Sequence, residues 1–275
     1  MPNIDVLPEW FVICFVALYG LSLGSFVTAL SWRLPRGLSI FNYSGDNKRS
    51  VCPSCETSLG LRDLVPVFSW LFSKGKCRHC KAPISIRYPL TELGTAFLCL
   101  TFYWSMPSAQ TSLLPLILFM TLAGTLMTII VIDLEHKIIP NILNLTLGLL
   151  GLVFLIIQHF ELQSPALHLF DNLKNAIMNM VIFCVFSIVL RGTFMLVTKK
   201  DPLGLGDVKF FAAVGLWLNI NVFPFFLVAS GGLGILLGLV WQKLTGEKAF
   251  PFGPALVVAF VLSLCIPEKI ISEFL

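Results

Sequence analysis

Residues 112–133 read SLLPLILFMTLAGTLMTIIVID, an apolar run that meets no charged residue until it ends at Asp133. A helix that crosses a lipid bilayer needs about 20 consecutive apolar residues, and this run has that length. The rest of the chain has the same character, because 56% of its 275 residues are hydrophobic and only 12% are charged. That charged share is about half that of an average soluble domain. The sequence therefore predicts a protein that crosses the membrane several times.

Further apolar runs lie on both sides of this one. Together the predicted spans are 8–30, 90–105, 112–133, 141–158, 175–197, 207–219, 222–242 and 252–267. The second, sixth and eighth are short, so we expect them to be tilted, merged or only partly spanning. The predicted fold class is thus an all-α polytopic membrane protein with about eight transmembrane helices.

The basic residues indicate which side of the membrane each loop occupies. If the N-terminus lies outside, all but two of the 19 Lys and Arg residues fall on the cytoplasmic side, the exceptions being Lys174 and Lys269. Cytoplasmic loops of membrane proteins carry an excess of these residues, so this orientation is favoured. It places Asp133, at the end of an inward-running span, and Asp207, at the start of an outward-running span, at the same cytoplasmic face.

A polar segment between the first two spans contains two Cys-x-x-Cys pairs. They are Cys52 with Cys55 and Cys77 with Cys80, and four thiolates so arranged can bind Zn²⁺ tetrahedrally. The distance between the pairs lies just beyond the usual range. Disulfides or redox-active pairs remain alternatives, although a reducing cytoplasm disfavours structural disulfides. Because four cysteines leave no open position on the metal, we predict a small cytoplasmic zinc-binding domain with a structural ion.

The two aspartates are the candidates for chemistry. A carboxylate at membrane depth is costly and usually functional, although Asp133 alone could be a helix-end charge and Asp207 alone a helix N-cap. Asp207 follows Gly204 and Gly206, which permit the close approach of another chain. Two neighbouring carboxylates share a proton, so one can deprotonate water while the other polarises a carbonyl. We therefore predict that Asp133 and Asp207 are the catalytic pair of a protease.

Other polar groups near these motifs keep two interpretations each. Glu92 lies just inside the second span, where a buried hydrogen-bonding role and a substrate-binding role are equally compatible with its position. Lys209 is either a cytoplasmic anchor or an electrostatic group of the site. The run from Pro251 to Pro254, which opens the last span, is typical of a rigid turn.

Six motifs, in this order along nearly the whole chain, resemble the type IV prepilin peptidase family, the Gly-x-Gly-Asp aspartic proteases of bacterial inner membranes. They are Gly24-Ser25-Phe26 through Arg33-Leu34-Pro35, the double Cys-x-x-Cys, Arg87-Tyr88-Pro89-Leu90 with Glu92, Asp133 with Ile139-Pro140-Asn141, Gly204 to Lys209, and Pro251-Phe252-Gly253-Pro254. The chain departs from the family pattern at Thr28, where Asn is usual, and at Asn141, where Asp is common.

The resemblance implies an activity, a location and a division of the chain. Such enzymes cut the short basic leader from type IV prepilins or pseudopilins at the cytoplasmic face of the inner membrane. Many then methylate the new N-terminus with S-adenosylmethionine, and the Cys-x-x-Cys domain implies this bifunctional form. Gly75 matches a glycine associated with the methyl transfer, and a turn glycine beside the zinc knuckle is the alternative. The implied parts are a first transmembrane helix (1–30), a zinc-knuckle domain with the methyltransferase function (31–89) and a transmembrane protease domain (90–275).

Two other functions remain compatible with the residues. The protein could be an ion- or proton-coupled transporter that uses Asp133 and Asp207 as ion sites, or a non-catalytic scaffold subunit of a pilus or secretion machine. A transporter explains neither the zinc knuckle nor the glycines around Asp207. Nucleic acid is not an expected partner, because no basic run carries the aromatic residues of such a surface. The expected partners are prepilin or pseudopilin substrates and membrane lipid.

Overall fold

The computed structural model describes residues 4, 7–38, 51–52, 54–161, 166–199, 203–247, 249–267 and 269–271. Within them the chain forms α-helices and short 3-10 helices and no β-strand, and the isolated bridges Val51–Ser58 and Lys76–Pro83 lie beside the cysteine pairs. The all-α prediction is confirmed for this part of the chain. Four basic residues of the topology argument, Lys48, Arg49, Lys200 and Lys248, lie outside it.

Every predicted span overlaps a helix. In chain order the helices are α1 (Glu9–Arg33), α2 (Phe68–Phe72), α3 (Arg87–Ser105), α4 (Pro107–Thr111), α5 (Leu113–His136), α6 (Asn141–Glu161), α7 (Ala166–Thr198), α8 (Leu205–Val214), α9 (Phe223–Thr245) and α10 (Gly253–Cys265). The short helices α2 and α4 were not predicted, because five residues are too few to show an apolar periodicity.

Five of the described helices, α1, α5, α6, α7 and α9, are long and apolar enough to cross a bilayer. The three short predicted spans correspond to α3, α8 and α10, which have 19, 10 and 13 residues. At 1.5 Å per residue α8 rises about 15 Å, half the thickness of the hydrocarbon core. It can cross only part of the membrane, as expected for a short span, and it ends at Val214 rather than at 219. The chain is a multi-pass membrane protein.

The chain divides into two compact units, Met1–Val131 and Ile132–Leu275, and the boundary lies inside α5. In the first unit α1 packs closely along α3, because two glycines of α1 face its backbone. A Cβ at Gly20 would lie 2.7 Å from the Cα of Ala96, and one at Gly24 would lie 2.4 Å from the Cα of Glu92. Only glycine allows the two helices to approach this closely.

In the second unit the short helix α8 is surrounded by longer helices. Phe210 makes an edge-to-face contact with Phe260 of α10, and Phe211 makes one with Phe226 of α9. Trp217, just after α8, donates from its indole Nε1 to the carbonyl oxygen of Leu147 on α6 at 3.0 Å. These contacts fix the position of α8 and therefore of Asp207, which lies at its start.

Candidate active site and metal centre

Asp133 lies near the C-terminal end of α5 and is 4% exposed. Its Oδ2 accepts a hydrogen bond of 2.6 Å from the backbone N–H of Gly253, the first residue of α10. A Cβ at Gly253 would lie 2.8 Å from that oxygen and 3.0 Å from the Cγ of Asp133. The run from Pro251 to Pro254, predicted only as a turn, therefore also holds the Asp133 carboxylate at the positive end of a helix.

Asp207 is the third residue of α8 and is half-buried. Its Oδ2 accepts a hydrogen bond of 3.0 Å from the backbone N–H of Gly204, the residue that precedes the helix. The N-cap position belongs to Gly204, so the carboxylate reaches back from the first turn as the acidic residue of a capping box does. Asp133 lies near enough for its charge to act on the Asp207 carboxylate. Asp207 thus caps its helix in the neighbourhood of the second carboxylate.

The connection between α5 and α6 packs directly on the start of α8. A Cβ at Gly206 would lie 3.1 Å from the Cβ and 3.2 Å from the carbonyl oxygen of Ile139. Asn144 of α6 donates from its side-chain amide to the carbonyl oxygen of Gly206 at 3.0 Å. The backbone of the glycine motif is therefore held against the Ile-Pro-Asn motif that follows Asp133.

Lys209 contacts the same connection. Its ammonium group donates to the side-chain oxygen of Asn141 at 2.7 Å, although the Lys209 residue as a whole remains exposed. It thus has a role in joining the two motifs beyond that of a surface anchor. Asn141 stands where Asp is common in the family pattern, and the contact is retained because an amide oxygen accepts from an ammonium group as a carboxylate oxygen does.

Asn144 was not singled out from the sequence, and Gly253 was noted only as part of the Pro-Phe-Gly-Pro motif. Gly253 acts through its backbone N–H, and the residue type does not reveal such a role because every residue except proline has this group. Asn144 is 5% exposed in a mostly apolar helix, and an amide among leucine and isoleucine residues could have been recognised as a buried hydrogen-bonding group.

The arrangement suits the hydrolysis of an amide bond. Each carboxylate has one oxygen fixed by a glycine N–H, so neither group has to be oriented during the reaction. Asp133 is buried while Asp207 is partly accessible.

The four cysteines of the two knuckles converge in the first unit. Their Sγ atoms all lie within 4.8 Å of one another, and those of Cys52 and Cys80 are 3.9 Å apart. A tetrahedral zinc site with Zn–S bonds of about 2.3 Å has neighbouring sulfurs ~3.8 Å apart. The donor set and its dimensions therefore fit Zn²⁺, with Cys55 and Cys77 as the remaining ligands.

The surroundings of two of these thiols favour the thiolate form that a metal requires. A hydrogen bond between Cys55 Sγ and the Thr57 hydroxyl, together with the Thr57 backbone N–H, lowers the pKa of Cys55 to about 6. The backbone N–H groups of Cys80 and His79 lower the pKa of the Cys77 thiol. A metal site here is consistent with the local electrostatics as well as with the distances.

Gly75 lies in a tight turn beside this centre. Its φ is +65°, and a Cβ at this position would lie 3.0 Å from the Trp70 ring. The Trp70 indole donates to the carbonyl oxygen of Ile84 at 3.0 Å. Both the turn and the ring contact favour glycine, so its sequence match has a structural explanation in this fold.

Known proteins match most of the chain. A model of the bacterial peptidase A24 N-terminal domain matches residues 18–106, and a model of the type IV leader peptidase family matches residues 120–239. The "Type 4 prepilin-like proteins leader peptide-processing enzyme" of Escherichia coli is 32% identical over 252 residues, which cover 86% of this chain and 87% of the relative.

Two relatives carry the description "Prepilin leader peptidase/N-methyltransferase". The one from Aeromonas hydrophila is 30% identical and covers 97% of this chain and 94% of its own length. The one from Pseudomonas aeruginosa is 30% identical and covers 100% of this chain and 98% of its own length. No solved structure matches the chain.

Proposed function

This chain belongs to the type IV leader peptidase family, and from that premise we propose that it removes the basic leader of type IV prepilins or pseudopilins and then methylates the new N-terminus. The observation that carries the peptidase assignment is that three sequence motifs contact one another around two carboxylates. The motifs are Asp133 with Ile139-Pro140-Asn141, Gly204 to Lys209, and Pro251 to Pro254. Asp133 and Asp207 come from different helices, and each is held by a glycine N–H. No observation favours the transporter or the scaffold.

In the proposed reaction one carboxylate of the pair is ionised and the other is protonated. The ionised group takes a proton from a water molecule, and the water oxygen attacks the carbonyl carbon of the scissile peptide bond. The protonated group donates a hydrogen bond to the carbonyl oxygen. When the carbon–nitrogen bond breaks, a proton passes to the departing amine, which becomes the N-terminus of the mature pilin.

The reaction is proposed to occur at the cytoplasmic face of a bacterial inner membrane. Both aspartates lie at helix ends, and Lys137 and Lys209 lie close to them along the chain, as the positive-inside rule requires of cytoplasmic loops. A basic leader would reach this face from the cytoplasm, while the hydrophobic helix that follows it stays in the bilayer. Asp133, Asp207 and the segment 90–275 would form the protease part.

The methyltransferase part is proposed to be the zinc-knuckle segment 31–89, with Cys52, Cys55, Cys77 and Cys80 holding a structural zinc ion. The support is the fit of their sulfur atoms to zinc geometry and the description of the relatives. S-adenosylmethionine, when bound, would supply an activated methyl group. That methyl group would pass to the new N-terminal amine.

A mass-spectrometric assay with purified full-length protein in detergent tests both activities. A prepilin should lose the mass of its leader and, after S-adenosylmethionine is added, gain the mass of one methyl group. Asp133→Asn and Asp207→Asn should each abolish leader removal yet still methylate a pilin that has already been cleaved. Asp171→Asn is the matched control, because Asp171 is exposed on α7 in the same unit. Full cleavage by either site variant would exclude the dyad.

A further inference from the structure

Glu92 is a buried charge that the proposed chemistry does not use. Among the described residues only Glu92 and Asp133 are charged and fully buried, and Glu92 is 7% exposed. A buried carboxylate is strongly destabilising unless hydrogen bonds compensate for the lost water. Its partners therefore indicate what it does.

The Glu92 side chain joins three segments of the first unit. From its place on α3 it accepts, through Oε2, a hydrogen bond of 2.6 Å from the backbone N–H of Val67, which precedes α2. The side chain of Ser25 on α1 also lies near this carboxylate. Since Gly24 brings the α1 backbone against the Glu92 Cα, the carboxylate lies where α1, α3 and the start of α2 meet.

Val67 has a strained backbone conformation. Its φ is +60° and its ψ is −52°, and the N–H of Phe68 donates to the carbonyl oxygen of Pro66 at 2.5 Å. This is the less stable form of the γ-turn, and a β-branched residue with positive φ is a genuine outlier. Such a conformation persists only where the surrounding structure fixes it. The hydrogen bond from the Val67 N–H to the Glu92 carboxylate holds the central residue of the turn in this conformation.

The turn at Val67 then determines where the cysteine loop lies. Helix α2 begins immediately after Val67 and carries Trp70, whose ring packs on Gly75. The N–H of Gly75 donates to the carbonyl oxygen of Trp70 at 2.9 Å, and Cys77 follows two residues later. A continuous set of contacts thus leads from the Glu92 carboxylate to the cysteine loop.

We propose that Glu92 is a positioning residue for methyl transfer, which locks the Val67 turn and so fixes the zinc knuckle on α1 and α3. The inference rests on the methyltransferase activity proposed above. Glu92 acts through the turn and does not contact the substrate or the methyl donor. Leader removal takes place in the other unit and does not depend on it.

Three variants of the full-length protein test this role. Glu92→Gln keeps an oxygen that can accept from Val67, whereas Glu92→Met has a similar length and no good acceptor. Thr95→Val is the matched control, because Thr95 is fully buried one turn further along α3 and its hydroxyl bonds only within the helix, to the Thr91 carbonyl oxygen. For each protein we would measure hydrogen exchange at the Val67 amide, methylation of a pre-cleaved pilin and leader removal.

We expect Glu92→Met to speed exchange of the Val67 amide and to slow methylation, each by about tenfold or more, because a hydrogen bond to a charged group is lost. Leader removal should stay close to the wild-type rate. Glu92→Gln should retain most of the amide protection and most of the methylation. Thr95→Val should change neither.

Each other outcome overturns the proposal. Wild-type methylation by Glu92→Met with an unprotected Val67 amide shows that the turn is not needed. Equal loss of methylation in Glu92→Gln and Glu92→Met, with Val67 still protected in the former, assigns the carboxylate a direct chemical role. Loss of both activities in Glu92→Met indicates a role in general stability. A wild-type protein that cleaves without methylating would refute the proposed methyltransferase function itself, a result seen before any substitution is made.

Discussion

Replacing Gly253 by alanine would test whether the observed orientation of Asp133 is the one that catalyses. The new Cβ would lie 2.8 Å from Oδ2 of Asp133 and 3.0 Å from both its Cβ and its Cγ. These separations are too short for non-bonded carbon and oxygen atoms. The carboxylate must therefore rotate away, and it loses the 2.6 Å hydrogen bond from the Gly253 N–H. Its position relative to Asp207, with which it interacts electrostatically, changes as well.

The magnitude follows from the bond and from the displacement. A hydrogen bond to a charged group contributes about 1.5–3 kcal/mol, and 1.4 kcal/mol corresponds to a factor of ten, so its loss alone slows the reaction about 10- to 150-fold. A displacement of about 1 Å at a reacting group can cost 100-fold. We expect kcat/KM for leader removal to fall about 100-fold in Gly253→Ala, because the two effects describe the same movement and are not added.

The assay is the initial rate of leader removal from a prepilin in detergent, with Tm measured on the same preparations. Gly232→Ala is the control, because a Cβ at Gly232 of α9 has nothing within 4 Å. Similar Tm values for the two variants would show that the difference in rate comes from the Asp133 carboxylate. If Gly253→Ala cleaved within twofold of Gly232→Ala, the orientation of Asp133 would not matter and the reasoning would be refuted.

Three further predictions concern the packing and the metal. Asn144→Leu removes the bond to the Gly206 carbonyl oxygen and should lower the free energy of unfolding by about 1–3 kcal/mol, measured by denaturation in detergent; an unchanged stability would contradict the contact. Gly24→Ala places a Cβ 2.4 Å from a Cα of α3 and should lower Tm, whereas Gly192→Ala, with nothing within 4 Å, should not. Cys77→Ser should reduce zinc below one ion per chain and slow methylation, with leader removal retained; elemental analysis that finds a full zinc complement would exclude this ligand.

The helices could be predicted from the sequence wherever the bilayer determines them. The predicted span 112–133 is α5, Leu113–His136, and 252–267 is α10, Gly253–Cys265, since apolar runs reflect the thickness of the hydrocarbon core. The predicted span 175–197 covers only the later part of α7, which begins at Ala166. Polar residues such as Asp171 and Lys174 interrupt the apolar run in the sequence but do not end the helix.

The sequence was enough to predict which side chains form the candidate site, but not which backbone groups hold them. Asp133, Asp207 and the four cysteines are ionisable or metal-binding residues in a mostly apolar chain, which is why the sequence singles them out. The four sulfur atoms lie within 4.8 Å of one another, and each aspartate accepts a hydrogen bond from a glycine N–H; the catalytic role of the pair stays a prediction. Gly253 acts through a backbone N–H that every residue except proline possesses. Its assignment depends on which helix begins beside Asp133, and only tertiary packing determines that.

The two interpretations of Asp207, helix cap and catalytic group, prove to be compatible. One of its oxygens accepts from Gly204 at the start of α8, and one oxygen of Asp133 accepts from Gly253 at the start of α10. Each bond occupies one carboxylate oxygen and leaves the other for a water molecule or a carbonyl group. Both carboxylates also lie at the positive ends of helices, where negative charge is stabilised. Helix capping thus orients both carboxylates, and a Cβ at Gly204 or Gly253 would lie 3.2 Å or 2.8 Å from the bonded oxygen. If the pair is catalytic as proposed, we expect the glycines of both motifs to be needed for its geometry.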